Sequence, residues 1–209
     1  MQNSKRFSTW LIFFSPLLVV FGVLAVRHVT SYFKTADLIS AIEALDNTAI
    51  QKSLQEGANA KARTVDGQTM ILWAIGNNGN VDAAKLLMKN GAQPTLDERL
   101  LIAAIEDDPV TLISALREGA NIEAVEKDKW TALMWAAALS NDKAVKVLLT
   151  YGANVRANNS DGETVSEEAC GNFGDQCAFD SKFGSGCSAL SQRCSRTLQL
   201  LQEARESQK

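Results

Sequence analysis

The side chains with the most chemistry are four cysteines, Cys170, Cys177, Cys187 and Cys194, and the chain has no others. They fall within one Gly- and Ser-rich stretch of 25 residues, spaced C-x6-C-x9-C-x6-C. Thiols gathered this way can form disulfides, hold a metal ion, or work as a redox pair. Structural zinc sites favour C-x2–4-C, and redox pairs favour C-x-x-C. Neither spacing occurs, so disulfides are the favoured chemistry, with a redox- or metal-responsive sensor as the alternative. The single histidine, His28, lies far upstream beside an apolar run. A His-activated nucleophile or a His-based metal site is therefore excluded from the rest of the chain.

Two other patterns invite a chemical reading and do not sustain it. "GNNGN" (76–80) is Gly-rich but lacks the preceding strand and following Lys of a phosphate loop. Glu106, Asp107 and Asp108 cluster their carboxylates, yet no histidine or further acid converges on them, which fits a solvated turn. No acid, base and nucleophile set is present, so the chain is read as non-catalytic, with no cofactor and no small-molecule substrate.

Charge and hydropathy bound the rest. The 209 residues carry 21 basic and 24 acidic side chains, and 46% are hydrophobic, enough to bury a core. Four basic residues (Lys5, Arg6, Arg27, Lys34) precede the first acid, Asp37, leaving 17 basic against all 24 acidic residues beyond that point. No basic stripe exists there, which excludes a nucleic-acid partner. Between Arg6 and Arg27 lie 20 uncharged residues, "FSTWLIFFSPLLVVFGVLAV", long enough to cross the roughly 30 Å bilayer core as a helix. Trp10 at one end and Tyr32 and Phe33 past the other suit interfacial anchoring. A membrane helix over about 8–26 is expected, within a tail and juxtamembrane segment over 1–34. Lys5 and Arg6 favour a cytoplasmic N-terminus and an extracytoplasmic domain, periplasmic in a bacterium. Cleavage after Val23-Leu24-Ala25, giving a secreted protein, is the alternative. Either route delivers the cysteines to a compartment where disulfides persist.

Self-similarity shows what positions these groups. "LQEGAN" (54–59), "MKNGAQ" (88–93), "LREGAN" (116–121) and "LTYGAN" (149–154) end alike, with glycines 34, 28 and 33 residues apart. Upstream stand "LISAI" (38–42), "ILWAI" (71–75), "LIAAI" (101–105) and "LMWAA" (133–137), whose alanines are 33, 30 and 32 apart. Two motifs keeping one period indicate a repeat architecture. Each unit reads as two short helices with apolar residues at helical spacing, a small alanine for close approach, and a glycine ending the second helix. "D-G-x-T" at 66–69 and 161–164 reads as a turn followed by a capping threonine.

This pattern resembles the ankyrin repeat family over roughly residues 35–209. "TMILWAI" (69–75) and "TALMWAA" (131–137) match its T-P-L-H-x-A-A core, and "LLMKNGAQ" and "LLTYGAN" match its second helix and G-A-N ending. The usual Pro is Met70 and Ala132, and the usual His is Leu72 and Met134. The hydrogen bonds of that His must therefore be replaced or missing. The resemblance implies an all-α repeat solenoid of stacked antiparallel helix pairs with β-turn fingers. Repeats are expected over about 35–64, 65–95, 96–126, 127–160 and 161–209. The 28-residue spacing into repeat three implies a shortened finger, and the first helix pair is expected to cap the stack.

The fifth repeat starts on period at "DGETVSEEAC" and resumes at "CSRTLQLLQEARE", so a Cys-rich insert over 171–193 splits it. Cys170 and Cys194 then flank the break. Four cysteines allow three pairings, of which the nested one, Cys170–Cys194 with Cys177–Cys187, is preferred. Phe173, Phe179 and Phe183 would form a mini-core in the insert or a second contact patch. The family binds proteins through fingertips and first helices on a concave side. Carried over, this implies partner contacts at Val65, Gln68, Lys129, Trp130, Asn159 and Glu163. Trp130 fits an interface anchor and fits packing between fingers equally well. Trp73 and Trp135 are expected in the core. The expected function is a protein-interaction module displayed from a membrane. A structural or protective partner of an exported enzyme is the alternative.

Overall fold

The computed structural model describes residues 33–169 and 184–208. The expected membrane segment, Cys170, Cys177 and the three insert phenylalanines lie outside the described residues, as do the side chains of Cys187 and Cys194. Among the described residues, no helix is long and apolar enough to cross a membrane.

Among the described residues, the alternation of apolar runs and capped turns produces ten helices in five pairs: α1 (33–43) with α2 (Asn47–Gln55), α3 (Met70–Gly76) with α4 (Val81–Lys89), α5 (Leu96–Ile105) with α6 (Pro109–Glu118), α7 (Ala132–Ala138) with α8 (Asp142–Thr150), and α9 (Val165–Glu168) with α10 (Gly184–Ser207). The chain is an all-α repeat solenoid. The first helices bury apolar residues on most sides, as in Ile71, Ala74 and Ile75 of α3 and Leu133, Ala136 and Ala137 of α7. Ala41, Ala74, Ala104 and Ala136 are all buried, which lets adjacent helices approach closely. Met70 and Ala132, where the family carries proline, are buried as well.

The Gly-Ala endings have a backbone cause. Gly57, Gly91, Gly119 and Gly152 sit at φ of 101°, 95°, 103° and 87°. The alanine after each glycine donates its N–H back across the helix end, for instance Ala92 to Leu87 O at 3.1 Å and Ala120 to Ala115 O at 2.9 Å. This satisfies carbonyls that a helix end otherwise leaves open. At the starts, the Thr69 and Thr131 hydroxyls accept the N–H of Leu72 and Met134 at 3.0 and 3.2 Å. At the positions of the family's histidine, the backbone is thus capped while an apolar side chain packs.

The ends of the pairs opposite the fingers lock each repeat to its predecessor. The Asn141 amide donates to the carbonyls of Ala104 and Ile105, and the Ala144 N–H donates to Asp107 at 2.9 Å. Asp108 caps α6, and Glu106 pairs with Lys85. The three acids of "EDD" therefore each have a structural partner. "GNNGN" is the α3–α4 turn, with Asn80 capping α4.

The last repeat corrects the sequence reading. α9 has 4 residues, and α10 has 24 and begins at Gly184 instead of near Cys194. Residues 184–193 of the expected insert are therefore helical, because no proline or further glycine interrupts the run after Gly186. α10 docks through Leu201 and Thr197, both buried, with the Thr197 hydroxyl donating to Asp142 at 2.9 Å. Cys187 and Cys194 lie seven residues apart on this one helix, a rise of about 10 Å. That exceeds the roughly 7 Å reach of a disulfide between Cα atoms. A Cys187–Cys194 bridge therefore does not fit this helix.

Candidate concave interface

Three fingers precede α3, α7 and α9, each closed by an antiparallel bridge: Arg63 with Thr69, Val125 with Thr131, and Asn158 with Thr164. In each, the residue after the first bridge partner accepts an N–H four residues on. The Thr64 hydroxyl takes Gln68 N–H at 3.1 Å, Glu126 takes Trp130 N–H at 3.1 Å, and Asn159 takes Glu163 N–H at 2.9 Å. Gly67, Lys129 and Gly162 occupy the left-handed turn position, with φ of 81°, 60° and 85°. The fingers are one structure built from three different side-chain sets.

This register sorts the six expected contact residues. Val65 stands fully exposed at the tip of its finger, and Lys129 and Glu163 are also exposed. Gln68, Trp130 and Glu163 share the slot before the first helix. Asn159 is the correction. It is buried, and its side-chain oxygen holds the N–H groups of Asp161 and Glu163. A side chain turned inward to hold the turn is not at the exposed tip. Its counterparts are Thr64 and Glu126, and the register shared by the three fingers is the signal that identifies them.

The 28-residue spacing implies a shortened finger before α5; the structure has none there, and the bridged fingers are those before α3, α7 and α9. Thr95 directly caps that helix, its hydroxyl accepting Glu98 N–H at 3.2 Å while Glu98 accepts Thr95 N–H at 2.8 Å. The other Glu98 oxygen accepts the Thr69 hydroxyl of the preceding repeat. A groove of about 480 Å³ opens over this junction, walled by the finger before α3 and the base of the finger before α7.

Beside the groove lies an aromatic face. Trp73 and Trp135 occupy the same slot on α3 and α7, where α5 carries the buried Ala103. That small residue lets repeats two and four reach over repeat three. The Trp135 ring packs so near Gly79 that a Cβ there would sit 3.0 Å from it. Lys127 lays its ammonium 4.7 Å over the Trp73 ring and donates to Asn77 at 3.4 Å. Trp130 stacks on Trp135 with centroids 4.7 Å apart and planes inclined by 44°. All three indoles are half-buried against the core. The indole N–H groups of Trp73 and Trp135 are buried and have no acceptor among the described residues. Glu126, at the base of this finger, is buried, and burial pushes its carboxyl above the usual carboxylate range against the pull of the Asp128 and Trp130 N–H groups.

This arrangement offers shape, aromatic area and charge. Among the described residues, no cluster of His, Cys, Asp and Glu is grouped to hold a metal ion. A family model described as ankyrin repeats (3 copies) matches residues 100–178, and one described as ankyrin repeat matches residues 66–98. No curated protein matches the chain.

Proposed function

The chain belongs to the ankyrin repeat family, whose repeats serve as non-catalytic interaction scaffolds, and we propose that it binds a partner protein through the face lined by its fingers and first helices. In this reading Val65, Gln68, Lys129, Trp130 and Glu163 meet the partner, and Asn159 holds the finger that presents Glu163. The carrying observation is the aromatic face: Trp130 held on Trp135, with Lys127 over Trp73. Large, half-exposed rings fixed by packing lose little freedom on binding, and they are frequent centres of interfaces.

The domain, over 35–209, is read as displayed on the extracytoplasmic side of a membrane by the apolar segment at about 8–26. The uncharged 20-residue run and the basic residues ahead of it support this placement. The cysteines of the last repeat are read as disulfides in that compartment.

A photo-reactive amino acid at Trp130 in the full-length protein, activated in intact cells, tests the binding face. The expected result is one predominant cross-linked protein, lost when Val65 and Lys129 are both replaced by alanine. Cross-links distributed equally from an exposed outer site such as Lys146 would overturn the assignment. Protease added to cells with a permeabilised outer barrier should degrade the domain; protection until lysis would reverse the topology.

A further inference from the structure

We propose that the groove over repeat three is a docking slot for an extended or turn segment of a partner protein that carries lysine or arginine side chains. The proposal deepens the reading above and rests on it for the occupant being a protein.

Three observations point to the same chemistry. Four carboxylates line the groove, from Asp66, Asp97, Glu98 and Glu123, against one cation, Arg63, whose guanidinium is turned to the Gly67 carbonyl at 2.7 Å. Asp97 and Glu123 each hold one backbone N–H, from Asn121 and Asn154, through a single oxygen. Their second oxygens and the Asp66 carboxylate remain available to a donor. Gln68 supplies the second observation, because its side-chain oxygen is buried in the groove wall with no donor among the described residues. Buried acceptors are normally satisfied. The third is in the backbone. The fingers before α7 and α9 are joined by Ser160 N–H donating to Asp128 O at 2.9 Å. Asp66 corresponds to Asp128, but repeat three has no finger to supply that N–H.

The buried unmet group and the spare carboxylate oxygens here are acceptors. The fitting occupant is therefore donor-rich and cationic, with a main chain able to take the place of the missing finger. Leu72 and Leu101 line the same groove, where the apolar stem of a lysine or arginine can lie while its charged head reaches the carboxylates. An anionic segment would meet repulsion from the same wall.

The test is a calorimetric titration of the full-length protein in detergent micelles with a cyclic β-hairpin peptide bearing two lysines at its turn. A matched hairpin bearing two glutamates is the control ligand. The lysine hairpin should bind, and Asp66→Asn with Asp97→Asn should weaken it about tenfold, the scale of two partly exposed ion pairs. The same charge change placed elsewhere, Glu43→Gln with Glu56→Gln, should leave affinity unchanged. Inserting a copy of residues 63–68 between Gln93 and Pro94 should fill the groove and abolish binding with the carboxylates still present. Equal affinity in the two double variants, equal binding of the glutamate hairpin, or binding that survives the insertion would overturn the proposal. A partner cross-linked through Trp130 but indifferent to Asp66→Asn with Asp97→Asn would leave the interaction face standing and remove the slot alone.

Discussion

The junction between repeats two and three and the junction between repeats three and four solve one problem in two ways. The second carries a full finger, closed by the Val125–Thr131 bridge and held from within by Glu126. The first has no finger, and Glu98 holds its own helix start and the threonine of the repeat before it. A buried carboxylate does the holding in both places. At the fingerless junction it ties two repeats together; at the fingered one it ties a loop to itself. The helix layer therefore tolerates loss of a finger, and the finger can lean on helices two repeats away without changing their stacking.

This contrast can be broken most strongly at Glu98. Replacing it by alanine strands the Thr95 N–H and the Thr69 hydroxyl and removes a cap, at a cost of about 1–3 kcal/mol. Urea denaturation should show the whole transition shifting, since the contact joins repeats. If Glu98→Ala costs no more than an exposed-site control, the fingerless junction is held by apolar packing alone.

The finger carboxylate should behave differently with pH. Glu126 titrates near its ordinary value of 4.5 in the unfolded chain and higher in the folded one, because of burial. Its contribution to stability is therefore fully present below pH 4.5 and is lost as pH rises through the raised folded value. Glu126→Gln should gain stability relative to the parent as pH rises from 4 to 7. A difference that stays constant over that range would mean that burial does not raise the carboxyl. The helix caps run the opposite way. Asp46 and Asp108 are held below the usual range first by the hydroxyls of Thr48 and Thr111 and then by the cap N–H groups they accept, so their contribution is lost as pH falls through their lowered values.

The smallest expected effect sharpens the comparison among the fingers themselves. Gly67 and Gly162 hold the left-handed position in two fingers, and Lys129 holds it in the third at φ 60°. Lys129→Gly should relieve a strain of about 1–2 kcal/mol, offset in part by the roughly 0.5–1 kcal/mol entropic cost of glycine. A net gain of about 0–1.5 kcal/mol is expected in thermal unfolding. A loss would mean that the Lys129 side chain contributes more than its backbone costs.

Much of the fold was legible. The Gly-Ala endings, the capping threonines and the shortened connection into α5 depend on groups within a few residues of one another, and such local chemistry is written in the spacing. The candidate face was legible only in part. The period locates the fingers, but the slot shared by Gln68, Trp130 and Glu163 and the inward turn of Asn159 are set by the hydrogen bonds within them. An asparagine in a turn can point either way, and only its hydrogen bonds to Asp161 and Glu163 fix it inward. The start of α10 was misplaced for a related reason. The period identified where the repeat resumes, but helix propensity carried the backbone back to Gly184.

The sequence by itself determined the repeat, its helix ends, and the charge and cysteine distribution, because each follows from composition or from interactions between near neighbours. Tertiary structure alone decided that Lys127 lies over Trp73, 54 residues earlier, and that Glu126 is buried. Both outcomes require repeat four to reach repeat two across the small side chain of Ala103. No local rule encodes a contact that exists only when three repeats stack.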